Sequence, residues 1–220
     1  MAIKSLVRFA SIFSMLLTIS VQQSLMAEPL TTFSASSIQE IKKVVPNFGV
    51  VSDVLLRGGQ PKEGGLETLQ KAGVKTIVCL RDGAEDIATE GKLAEKLGLK
   101  FVSLPMSVLK TAQKGQVQKF LSLIKDPTSQ PVFVHCRQGQ DRCGTMVAMY
   151  RIQEQSWPFQ KAYDEMISYG FHPFFVGLSG SVFSMALGQS SKVVANTANV
   201  EHTDGTLANT LLQGAKAVGD

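Results

Sequence analysis

Two rhythms of apolar and polar positions run along the chain, and each predicts a different element. Phe48 to Leu56 is apolar and β-branched, which predicts a strand, and it runs into Arg57-Gly58-Gly59-Gln60-Pro61, a turn by its glycines and proline. Leu66 and Leu69 predict a short helix ended by Gly73, and Lys75 to Leu80 is a compact apolar run expected as a buried strand. Ile87, Leu93 and Leu97 mark a helix that stops at Gly98, and Lys100 to Leu104 reads as the next strand. Val117, Phe120, Leu121 and Ile124 recur at helical spacing, and Pro131 to His135 is a further strand. Strand and helix therefore alternate, which predicts an α/β fold: a central, mostly parallel sheet of four to five strands flanked by helices. Beyond the last strand the pattern is helical only. Trp157-Pro158 opens a helix whose apolar stripe is Phe159, Ala162, Tyr163, Met166 and Ile167, and Phe171 to Leu187 continues the apolar pattern.

The ends differ from this middle. Residues 1–27 have the layout of a secretory signal peptide: Lys4 and Arg8 lead, Phe9 to Val21 is apolar, and a small residue, Ala27, precedes a cut before Glu28. The apolar run is shorter than the roughly 20 residues needed to span a bilayer, so no stable membrane anchor is expected. Export to a periplasm or the exterior follows as the expectation. Residues 28–45 read as an N-terminal arm with a short amphipathic stretch (Ile38, Ile41, Val44, Val45), residues 46–187 as the catalytic-type domain, and residues 188–220 as a disordered tail rich in small polar residues.

Charge and composition then narrow the function. The formal charge of +4 falls to about +2 once Lys4 and Arg8 are removed, too little for general nucleic-acid binding. With three histidines and no CxxC pair, neither a metal site nor a cofactor is expected. The three cysteines, Cys79, Cys136 and Cys143, leave at least one free thiol in an oxidising compartment. Cys79 lies in an apolar strand and reads as core packing, as do Met146, Met149 and Met166, whereas His172 and His202 show no partner in the sequence.

The informative segment is Pro131 to Thr145. An apolar strand ends at His135-Cys136, five residues intervene, Arg142 follows, and a helix begins near Cys143-Gly144. Such a strand-to-helix loop aims free main-chain N–H groups and the positive end of the helix dipole at one point, which suits a phosphate. The same field stabilises a thiolate at Cys136, and the planar fork of Arg142 holds two phosphate oxygens. Gly139 lets the loop curl without a Cβ in the way.

His135-Cys136-x-x-Gly139-x-x-Arg142, followed by Gly144, resembles the active-site loop of the protein tyrosine phosphatase superfamily. Arg57-Gly58-Gly59-Gln60-Pro61, Leu80-Arg81 after a strand, and Leu104-Pro105-Met106 are similar to the atypical dual-specificity phosphatases of bacteria, fungi and plants, over roughly residues 46–185. The resemblance implies a hydrolase of phosphate monoesters. Cys136 would be the nucleophile, Arg142 the clamp and His135 a structural neighbour of the cysteine loop. Arg137, Gln138, Gly139, Gln140 and Asp141 would offer their amides to the phosphate. The partner expected is a phosphorylated protein or a small phosphorylated metabolite. Arg137 adds one positive charge to the loop, while Gln140 stands where phosphoinositide-directed relatives carry a second basic residue.

Two departures stand against the family pattern. Cys143 replaces the usual Ser or Thr, which weakens a donor to the nucleophilic sulfur. It either pairs reversibly with Cys136 as a redox cap or is a tolerated small residue at a helix start. The stretch Ser103 to Lys110, where the general acid usually lies, has no carboxylate. Asp141 is the first candidate, because myotubularin-like phosphatases also carry Asp immediately before the loop Arg. Asp82, Glu85 and Asp86 are the second, and a mechanism without a protein acid is the third. The alternatives to a phosphatase are a phosphate-binding module with little or no turnover and, on a different chemistry, a sulfurtransferase of rhodanese type.

Overall fold

The structure, a computed structural model, describes residues 33–191. The expected signal segment, residues 1–27, and residues 192–220 of the expected tail lie outside the described residues.

The chain enters through α1 (Ala35–Val44), whose N-cap Ser34 accepts from the Ser37 main-chain N–H. Strands β1 (Gly49–Ser52) and β2 (Leu55–Gly58) follow, then α2 (Gly65–Lys71), β3 (Thr76–Cys79), α3 (Ala84–Lys96) and β4 (Lys100–Ser103). Next come α4 (Lys114–Lys125), β5 (Val132–His135), α5 (Asp141–Gln155) and α6 (Phe159–Ser168). A last helix, α7, occupies residues 176–191. The five strands form one sheet in the order β1-β2-β5-β3-β4. Strands β2, β5, β3 and β4 run parallel, and β1 is antiparallel to β2 at one edge.

The single strand expected over Phe48 to Leu56 is a hairpin. Ser52 pairs with Leu55, and the Ser52 hydroxyl accepts from the Val54 N–H to stabilise the reversal at Asp53-Val54. The apolar run conceals this turn because the strands on both sides of the polar Ser52-Asp53 step are apolar. Arg57 and Gly58, expected in a turn, are the last residues of β2.

The central strands are buried on both faces, so they read as unbroken apolar runs. Leu55, Val78, Val132 and Val134 face one core with α4, α5, α6 and α7. Leu56, Ile77 and Phe133 face the other, where they meet Phe33, Ile41 and Val45 from the first segment and Leu66 and Leu69 from α2. Residues 33–45, expected as an arm with an amphipathic stretch, pack into the domain core through Ile41 and Val45 of that stretch and through Phe33. Helix α5 is buried from Asp141 to Ile152, being covered by the sheet and by neighbouring helices, and it starts two residues before the expected Cys143. In α6, Ala162 and Met166 point inward, while Ile167 turns toward solvent. Residues 188–191, expected as the start of the tail, continue α7. Among the described residues, no helix is long and apolar enough to cross a membrane.

Candidate active site

Strand β5 lies between β2 and β3, and all three point the same way. His135 is in register with Gly58 on one side and Cys79 on the other, so three loops leave the carboxyl edge together. Cys136 stands in the middle one, 3% exposed, flanked by Gly59-Gln60 after β2 and Leu80-Arg81-Asp82 after β3.

The loop from Cys136 to Gln140 is shaped by the turn beside it. Gly139 has φ +73°, and a Cβ there would fall 2.5 Å from the Gly58 carbonyl carbon and 2.6 Å from the Gly59 nitrogen. Only glycine permits both the backbone conformation and the contact. The loop carbonyls are drawn outward. The Gln60 N–H donates to Arg137 O at 3.1 Å, Arg57 Nη2 to Gly139 O at 2.8 Å, and Asn47 Nδ2 to Gly139 O at 3.1 Å. Arg57 is fully buried and lies 3.7 Å over the Tyr169 ring, which fixes its guanidinium. Among the described residues, no main-chain N–H of residues 137–142 donates to a protein acceptor. They adjoin the first turn of α5, where helix geometry leaves N–H groups free.

Arg142, in that turn, is anchored through one nitrogen. Its Nη1 donates to Asp82 Oδ1 at 2.9 Å and lies 3.4 Å from the carbonyls of Leu80 and Met106. Among the described residues its Nε is buried with no hydrogen-bond partner, an unsatisfied donor beside the loop. Of the expected acidic group after β3, only Asp82 reaches Arg142; Asp86 pairs with Arg81, and Glu85 is exposed.

Beneath the loop lies a buried polar chain. Arg81 Nη1 donates to Gln60 Oε1 at 2.9 Å, Gln60 Nε2 to Glu90 Oε1 at 3.0 Å, and His135 Nε2 is 3.1 Å from the same oxygen. Burial opposes ionisation of Glu90, but contact with His135 and the Gln60 bond outweigh it and hold the carboxyl below its usual range. Cys79, Glu90 and His135 could offer metal-ligand atoms within 4.8 Å of one another. Burial pushes the Cys79 thiol up to about 12, and Glu90 Oε1 is already engaged by Gln60 while it lies beside His135, so Glu90 ties His135 to the Gln60-Arg81 chain.

All three cysteines are free thiols. The fully buried Cys143 lies 3.5 Å from the Val134 carbonyl and donates to it, and burial pushes its thiol up to about 11 despite the nearby Arg57. Asp141 is nearly buried, and its Oδ1 accepts from the His172 main-chain N–H at 2.9 Å and lies 3.0 Å from His172 Nδ1. The structure thus brings together His135, Cys136, the 137–141 loop, Arg142 and Asp82. It adds Asn47, Arg57, Glu90 and His172, which sequence reasoning missed. Arg57 had the clearest signal, as a charged residue closing an apolar strand.

Residues 41–173 match the family described as DSP-PTPase phosphatase fused to NAD+ kinase. The probable NAD kinase 2, chloroplastic, of Oryza sativa subsp. japonica is 36% identical over 101 residues, covering 43% of this chain and 10% of that protein. The dual-specificity protein phosphatase TpbA of Pseudomonas aeruginosa is 30% identical over 146 residues, covering 66% of this chain and 64% of that one. The chain therefore spans less than two thirds of these curated relatives. A crystal structure of a cysteine-to-serine variant of TpbA in complex with pTyr superimposes with a TM-score of 0.52 at 26% identity, over 66% of this chain and 90% of that one.

Proposed function

The chain belongs to the dual-specificity phosphatase family of the protein tyrosine phosphatase superfamily, and from that membership we propose that it hydrolyses phosphate monoesters through a phosphocysteine on Cys136. One observation carries the reading: the amides of residues 137–142 lack acceptors among the described residues beside a buried cysteine, while Arg57, Asn47 and Gln60 engage the carbonyls of Arg137 and Gly139. That arrangement favours a dianion directly above the sulfur.

The Cys136 thiolate attacks phosphorus, forming the S–P bond as the P–O bond to the leaving group breaks. Charge developing on the equatorial oxygens is met by the loop amides and by Arg142, whose Nε has no hydrogen-bond partner among the described residues. Water then attacks the phosphocysteine, and inorganic phosphate leaves as the thiolate returns. Cys143, a weak donor that is directed to Val134 O rather than to the Cys136 sulfur, gives the returning sulfur little help, so this second step is expected to be slow. The binding of pTyr by a TpbA variant supports a phosphorylated protein as substrate, and Arg137 leaves small phosphorylated metabolites open. The N-terminal pattern of residues 1–27 supports export to a periplasm or the exterior.

The test is hydrolysis of p-nitrophenyl phosphate by fully reduced protein. Cys136→Ser should abolish turnover while tungstate still binds. Turnover retained by the variant, or no oxyanion bound by the reduced wild type, overturns the proposal; sulfur transfer from thiosulfate to cyanide in its place establishes the rhodanese alternative, and oxyanion binding without turnover the non-catalytic one.

A further inference from the structure

The cradle supplies a nucleophile and a clamp, but an alkoxide leaving group also needs a proton. Residues 103–110 contain no carboxylate. Both carboxylates beside the cradle already accept hydrogen bonds: Asp82 from Arg142 Nη1, and Asp141 from the His172 main-chain N–H. Each is thus engaged through its Oδ1 as an acceptor. An imidazole is the side chain whose ordinary titration lies nearest neutrality.

His172 is held beside the phosphate loop through Asp141, with its main-chain N–H 2.9 Å and its Nδ1 3.0 Å from Asp141 Oδ1. Asp141, its partner, immediately precedes Arg142, and the His172 side chain is 43% exposed above a carboxylate that is 10% exposed. The segment carrying His172 is pinned to the phosphate loop at two further points. Asn47 Nδ2 bridges Tyr169 O at 2.9 Å and Gly139 O at 3.1 Å. Gly170, with φ +84°, lets the chain pass so close that a Cβ would fall 2.6 Å from Gln140 Nε2. Phe174 and Phe175, with ring centroids 5.3 and 6.0 Å away, wall the imidazole. Asp141 from α5 pairs with the imidazole as its charged partner, and the two uncharged rings face it from its own segment.

The Asp141 oxygen can only accept, so Nδ1 is the ring nitrogen that carries a hydrogen toward it. That fixes the tautomer and leaves Nε2 to gain and lose a proton, the division of labour by which a carboxylate orients a catalytic histidine. We propose that His172, oriented by Asp141, is the proton-transfer residue of this site, an inference that rests on the phosphatase reading above. In the first half-reaction the P–O bond breaks and the departing oxygen takes the proton from Nε2. In the second, Nε2 accepts a proton from water as its oxygen attacks phosphorus and the S–P bond breaks. The imidazole thus returns to its starting state. Asp141, the expected acid, becomes a positioning residue.

The experiment compares p-nitrophenyl phosphate, whose leaving group departs without a proton, with an alkyl phosphate such as a phosphoserine peptide, using reduced full-length protein. His172→Asn keeps a donor where Nδ1 was and removes Nε2. It should lower kcat on the alkyl substrate by about 10²–10⁴-fold and on the aryl substrate by less than about tenfold. The alkaline limb of the alkyl kcat–pH profile should disappear. Vanadate binding at the wild-type Kd reports an intact cradle, and His172→Gln, which should show the same substrate-selective loss, covers the case in which the asparagine variant fails to fold. Equal losses on both substrates, or an unchanged alkaline limb, overturn the role of His172 and leave the phosphatase standing. A wild type inactive on both substrates overturns the phosphatase itself.

Discussion

Alanine at Gly139 tests whether the turn after β2 shapes the phosphate loop. The substitution meets two obstacles. At φ +73°, an L-residue costs roughly 1–2 kcal/mol. The new Cβ would also lie 2.5, 2.6 and 2.8 Å from the Gly58 carbonyl carbon, the Gly59 nitrogen and the Gly58 oxygen. All three are main-chain atoms, so no rotamer change relieves the overlap, and such overpacking costs about 1–3 kcal/mol more. The expected loss is about 2–5 kcal/mol in all. Gly64 supplies the control: its φ is also +73°, but a Cβ there has nothing within 4 Å, so Gly64→Ala carries the backbone penalty alone. Urea denaturation of the two variants should separate them by the overpacking share, about 1–3 kcal/mol, and tungstate affinity should fall only in Gly139→Ala. If the two variants unfold at the same midpoint and bind tungstate equally, the close approach of the two loops does not shape the site.

The buried thiols give two further expectations. Iodoacetate at neutral pH should modify Cys136 alone in the folded protein, because burial holds Cys79 near about 12 and Cys143 near about 11 as thiols; peptide mapping that finds Cys143 labelled before unfolding counts against that account. The same shifts make the fold sensitive to alkali. The unfolded chain ionises these thiols near 9.0 and the folded chain only at about 11 to 12, so their contribution is complete below pH 9 and is lost as pH rises through that window, by up to about 1.4 kcal/mol per pH unit per thiol. Cys79→Ala should flatten the alkaline decline in stability measured by urea midpoints, and an unchanged slope would refute the assignment.

The chemistry-bearing loop was legible because it is contiguous: an apolar strand, a cysteine, five residues and an arginine at a helix start specify a local geometry through nearest-neighbour sterics and hydrogen bonds. The alternation of strand and helix was legible for the same reason, since each rhythm reports which face of a local element is buried. The hairpin of β1 and β2 escaped because both strands and the turn between them fall within one apolar stretch. The helpers of the loop escaped for a different reason. Arg57 reaches Gly139 across 82 positions, Gln60 reaches Glu90 across 30 and His172 reaches Asp141 across 31. Sequence by itself determined the candidates for nucleophile and clamp, Cys136 and Arg142, and the periodicities that build the layers. Only tertiary structure decided which side chains hold the loop open and which carboxylates are already occupied, because those contacts depend on β5 being inserted between β2 and β3, an order that no local pattern encodes.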